Sequence, residues 1–149
     1  MHSTDIGAWS GSWARSLPLI VVNVMIHVIG LAFVNAKLGG VMRGAVGRRG
    51  LMPRFAFAMG ATTLLATMLH GIEAFIWAVA YRALDSLPDY KSAMLYSLSA
   101  MTSYGHANLF LKAQWQMMGA LEALNGMLLL GLTTAFLFSM IQKISQGPE

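Results

Sequence analysis

The chain has 149 residues, of which 56% are hydrophobic and 11% charged, with a formal net charge of +4. Soluble domains carry about 25% charged residues, so the composition is that of a membrane protein, and the absence of cysteine excludes disulfide frameworks and thiolate metal sites. The positive charge does not point to nucleic acid: five of the ten basic residues, Lys37, Arg43, Arg48, Arg49 and Arg54, fall in one acid-free stretch, which is the signature of a cytoplasmic loop.

The first apolar run covers residues 17–36, about 30 Å as a helix. Ser16 is placed to cap it, and Pro18 falls in its first turn, where no backbone donor is lost. Val34-Asn35-Ala36 fits a small-residue cleavage pattern. The run is longer than a signal peptide's apolar region, however, and cleavage would strand the cationic loop outside, so it reads as a retained span. The second run, 55–81, follows Pro53, and the third, 115–141, is ended by Lys143 and the Gly147-Pro148 tail. With the basic loop inside, the N-terminus lies outside and the third span ends in the cytoplasm.

Between the second and third spans, on the outer side, lies an amphipathic segment, residues 90–101. Pro88 stops the preceding chain and Asp89 is a good N-cap. The segment leads into Thr102-Ser103-Tyr104-Gly105-His106. It reads as a half-inserted helix whose C-terminus aims about half a negative charge at the membrane interior, or as a helix lying on the outer leaflet. A bilayer tolerates non-helical backbone at depth only where protein buries it or it lines a water-filled path. The fold class is therefore an all-α membrane protein with three transmembrane helices and a re-entrant helix and loop between the second and third.

Residues 95–102, Leu-Tyr-Ser-Leu-Ser-Ala-Met-Thr, then Tyr104-Gly105 and the run from Gly119 through Asn125 and Gly126 to Phe138, resemble the pore module of the potassium-channel superfamily, in its bacterial two-helix-and-pore-loop form. The likeness covers roughly 55–141 and divides the chain into an N-terminal helix and basic loop, 1–54, and a pore module, 55–149. It implies a filter of Thr102, Ser103, Tyr104, Gly105 and His106, a gating hinge at Gly126 or Gly131, and a homotetramer, since one loop is a quarter of a filter. The family filter reads Thr-Val-Gly-Tyr-Gly, whereas this chain has a shortened Thr102-Ser103-Tyr104-Gly105, with His106 where an aspartate usually follows. The resemblance thus implies passage of monovalent cations, potassium or sodium, rather than potassium selectivity. It also implies a bacterial-type inner membrane, no partner beyond self, lipid and inorganic cations, and no cofactor beyond the permeant ion. No nucleotide loop, nucleophile triad or soluble regulatory domain is expected, and no enzymatic activity.

His27 lies in the first span, His70 and Glu73 in the second, and Glu122 and Asn125 in the third. Intramembrane ionisable groups carry a functional expectation. His70 and Glu73 share a helix face, as do Glu122 and Asn125. Glu73, Glu122 and Asn125 are expected to support the filter from behind, holding Ser97, Ser99 or Tyr96, or to line a vestibule. His27 and His70 are expected to hydrogen-bond between helices. A different class of reading makes His27, His70 and Glu73 a metal site, or the two histidines haem ligands, in a small membrane metal- or haem-binding protein. A third is a channel-derived scaffold that no longer conducts. His106 at the filter mouth would titrate near neutral pH.

Overall fold

The computed structural model describes residues 3–43, 51–105 and 108–145. In order these form α1 Ser3–Arg43, α2 Leu51–Ala83, α3 Tyr90–Met101, a 3-10 turn Ala113–Trp115 and α4 Gln116–Ser145, with no strand among the described residues. The stretches Trp9–Lys37, Met52–Ala83 and Ala113–Gln142 are long and apolar enough to cross a membrane, which makes this an integral membrane protein. His106, Arg48, Arg49 and the Gly147-Pro148 tail lie outside the described residues.

The helices overrun their expected ends. α1 begins at Ser3, so Ser16 does not cap it and Pro18 lies in its interior. Proline inside a helix removes a backbone bond and disfavours the helix by about 3 kcal/mol. Tertiary contacts hold the extension in place. Ser12 donates its hydroxyl to the Gln114 carbonyl (3.0 Å), the Arg15 guanidinium lies 4.7 Å from the centre of the Trp115 ring, and Ser12 and Ser16 are fully buried. At the other end Lys37 and Arg43 belong to α1 and Arg54 to the first turn of α2, so the cationic loop is shorter than its basic stretch. Lys143 likewise falls within α4 rather than after it.

Asp89 starts α3 with extended backbone (φ −150°, ψ 165°), and its carboxylate accepts the Ser92 N–H at 2.8 Å and the Ser92 hydroxyl at 2.9 Å. These two bonds hold its carboxyl below the usual range. Nearby, the Lys112 ammonium bonds Asp85 at 2.8 Å and lowers that carboxyl in the same way, fastening the returning chain to the end of α2.

α3 is wedged between α2 and α4. Tyr81 and Tyr96 meet edge to face at 5.4 Å and are buried with Trp77 and Leu111. The lower end of α3 packs as Met101 against Ala74 and Leu129. Ala74 is nine residues from the end of α2, and Gly126, beside Met101, is ten from the start of α4. The tip of α3 thus lies about 13–15 Å along the helix axes from these ends of α2 and α4.

Candidate functional site

The chain beyond α3 turns sharply. Ser103 N–H donates to the Ala100 carbonyl (3.0 Å) and Tyr104 N–H to the Ser99 carbonyl (2.9 Å), with Ser103 at φ 55°. That pair of bonds is a left-handed helix cap, which satisfies two carbonyls at the end of the helix. Gly105 follows at φ 86°, a conformation open to glycine and strained for residues with a Cβ. Positive φ therefore flanks Tyr104 on both sides. Thr102, Ser103, Tyr104 and Gly105 are all exposed on the isolated chain, Tyr104 at 87%.

Behind α3 sits a buried polar cluster. Tyr81 donates its hydroxyl to Glu122 Oε2 (2.6 Å), while the Ser97 hydroxyl donates to the Ala74 carbonyl (2.7 Å) and also contacts Glu122 Oε1. Glu122 thus joins α2, α3 and α4 through fully buried groups. Asn125, one turn further along α4 and fully buried, has neither its amide oxygen nor its nitrogen paired among the described residues. Gly126 lets α3 approach: a Cβ there would strike the Met101 carbonyl and lie 2.6 Å from Met101 Cα. Gly131, the other hinge position, faces open space.

Glu73 does not join this cluster. Its side chain is turned to α1, where His27 Nδ1 lies 2.8 Å from Oε1, and His70 Nδ1 lies 3.2 Å from Oε2. The other nitrogens of both rings meet one hydroxyl, Thr133 Oγ1, at 3.0 Å from His27 Nε2 and 3.2 Å from His70 Nε2. Glu73, His27, Thr133 and His70 therefore close a four-membered polar ring across α1, α2 and α4. Asn23 adds a bond from Nδ2 to the Glu73 carbonyl (3.4 Å). His27, Glu73 and Asn23 are fully buried. His70 and Thr133 lie about one helical turn from Ala74 and Leu129, against which Met101 at the tip of α3 packs, and Glu73 is the chain neighbour of Ala74.

The structure thus brings Glu122 to Ser97, takes Glu73 away from α3, and gathers His27, His70 and Glu73 within 4.8 Å. The imidazoles lie 5.0 Å apart, tilted by 42°, and are bridged on both edges, an arrangement with no slot for a porphyrin between them. Thr133, Tyr81 and Asn23 are partners that sequence reasoning did not supply. For Asn23 a signal existed, an amide four residues before His27 on the same helix face. Comparison with protein-family models, curated proteins and solved structures gave no significant match.

Proposed function

We propose that the chain is one subunit of a homotetrameric channel for monovalent cations, potassium or sodium, in which α3 is a re-entrant pore helix and Thr102, Ser103, Tyr104 and Gly105 line the path. The observation that carries this reading is the exposed, non-helical turn set about 13–15 Å in from the ends of α2 and α4, which a membrane-inserted α3 would carry into the bilayer. Lipid cannot satisfy such backbone, so other copies of the chain and a water-filled axis must cover it. Fourfold closure is taken from the resemblance to the potassium-channel pore module. In that frame Glu122 steadies the pore helix through Ser97, and Asn125 supplies an unpaired amide near the tip of α3. Native mass spectrometry in mild detergent should show four chains, and proteoliposomes should pass potassium and sodium. Gly105→Ala, which places a Cβ at φ 86°, should lose most of the flux while the tetramer persists. A dominant monomer or dimer across detergents would overturn the assembly. A tetramer that passes neither ion is a non-conducting scaffold.

The same reading places the protein in a bacterial-type inner membrane with its N-terminus outside and C-terminus in the cytoplasm, since the Lys37-to-Arg54 cations gather at one end of the α1–α2 pair. In intact cells an impermeant thiol reagent should label Ser10→Cys and spare Gly47→Cys. The opposite pattern inverts the topology.

A further inference from the structure

We propose that His27, His70 and Glu73 bind one divalent transition-metal ion of the Zn2+ or Fe2+ type, with Thr133 as the outer support that orients both imidazoles. This site is independent of the channel reading.

Hydrogen counting starts the argument. The ring has four links, each requiring one hydrogen. Thr133 supplies one, each neutral imidazole supplies one, and an ionised Glu73 supplies none. Three hydrogens cannot close four links. The deficit has a place in the structure: the fully buried Glu73 Oε2 faces His70 Nδ1 at 3.2 Å, outside good hydrogen-bonding geometry and the longest contact to the carboxylate. Buried polar atoms are nearly always paired. One cation among the Nδ1 atoms and the carboxylate completes the ring.

A metal ion uses every group in it. The Thr133 oxygen has two lone pairs and faces both Nε2 atoms, so it can accept an N–H from each. That sets both hydrogens on Nε2 and leaves both Nδ1 lone pairs directed towards Glu73. Metal-ligating histidines are commonly held in this way through their second nitrogen. The ligand atoms lie within 4.8 Å of one another, wider than the roughly 3.4 Å between ligands bonded tetrahedrally at about 2.0–2.2 Å, so the side chains close in on the ion as it binds. Two imidazoles and a carboxylate suit zinc or iron, whereas magnesium and calcium favour all-oxygen sites. The second carboxylate oxygen or a water takes the fourth position. His70, 20% exposed while Glu73 is fully enclosed, marks the side from which the ion enters. Such an ion fastens α1, α2 and α4 together.

The test uses the intact protein in detergent, stripped with a chelator and titrated with Zn2+ and, as a spectroscopic probe, Co2+. The expected result is one ion per chain by elemental analysis, Co2+ absorption bands of a nitrogen–oxygen site, and a rise in unfolding temperature on loading. His70→Gln should abolish the Co2+ bands, and Thr133→Val should weaken affinity by about 10–100-fold. If either variant fails to fold, the parent titration decides alone. A parent protein that binds neither ion, with stability following pH only, has a proton in the fourth link, and the proposal is overturned. Metal content is read without ion flux: a metal-loaded tetramer that does not conduct sinks only the channel, and a conducting, metal-free one sinks only this site.

Discussion

Gly126→Ala should separate α3 from α4. The added methyl would overlap the Met101 carbonyl and lie 2.6 Å from Met101 Cα, and a helix backbone cannot turn aside as a flexible side chain does. Overpacking of this kind destabilises by about 1–3 kcal/mol and by more where backbone must move. At the upper end this lowers the unfolding temperature by roughly 6–12 °C for a chain of this size, and thermal unfolding in detergent measures it. Gly131→Ala is the matched control. Its surroundings are open, and alanine is favoured over glycine in a helix by about 1 kcal/mol, so that variant should be as stable as the parent or more so. A changed ion flux in Gly131→Ala despite intact stability would mark Gly131 as the gating hinge. Equal unfolding temperatures for Gly126→Ala and the parent would show that the close approach at Met101 is not what holds α3.

The second large effect is expected at Glu122. In Glu122→Leu the Tyr81 hydroxyl, fully buried and 2.6 Å from the carboxylate, loses its acceptor, while Ser97 keeps the Ala74 carbonyl. An orphaned buried donor costs about 1–3 kcal/mol, and loss of a hydrogen bond to the carboxyl group adds to it. Glu122→Gln keeps one carbonyl oxygen and should be milder. Tyr81→Phe in the Glu122→Leu background removes the orphan, so the double variant should be more stable than the sum of the single effects allows, by about 1 kcal/mol or more. Strict additivity in that cycle would mean the Tyr81–Glu122 bond contributes nothing.

The features legible in the sequence are those governed by neighbours along the chain. Three apolar runs and an aspartate after a proline specify three spans and the start of α3, because length, hydropathy and capping act locally. Pro18 departs from expectation for the same reason: the local rule places it in a first turn, but the preceding turns of α1 are held by Ser12 donating to the Gln114 carbonyl, about a hundred residues away. Among the polar residues, three-residue spacing pairs His70 with Glu73, and the metal-ligand chemistry of two imidazoles and a carboxylate adds His27 as an alternative. The expectation that Glu73 supports α3 from behind fails because its side chain turns to α1. Thr133 was invisible. A threonine in a span ordinarily bonds its own preceding turn, as Thr134 does to Leu130 and Thr63 to Met59. Which of two adjacent threonines faces inward depends on the rotation of α4, which only packing determines. Tyr81 and Glu122, 41 positions apart, carry no spacing signal at all.

The polar ring also has a place in the order of biosynthesis. Its four members enter the membrane on three helices, and the separations are uneven: 46 positions between His27 and Glu73, 63 between His70 and Thr133, and 106 between His27 and Thr133. The α1–α2 hairpin alone brings both imidazoles to the carboxylate, yet each still holds an Nε2 with no hydroxyl to meet in hydrocarbon, where an unsatisfied polar group costs several kcal/mol. Thr133 arrives last of the four and serves both nitrogens at once. A chain stalled before α4 therefore presents a polar, badly satisfied hairpin to the quality-control machinery, whereas a completed one seals it with a single residue.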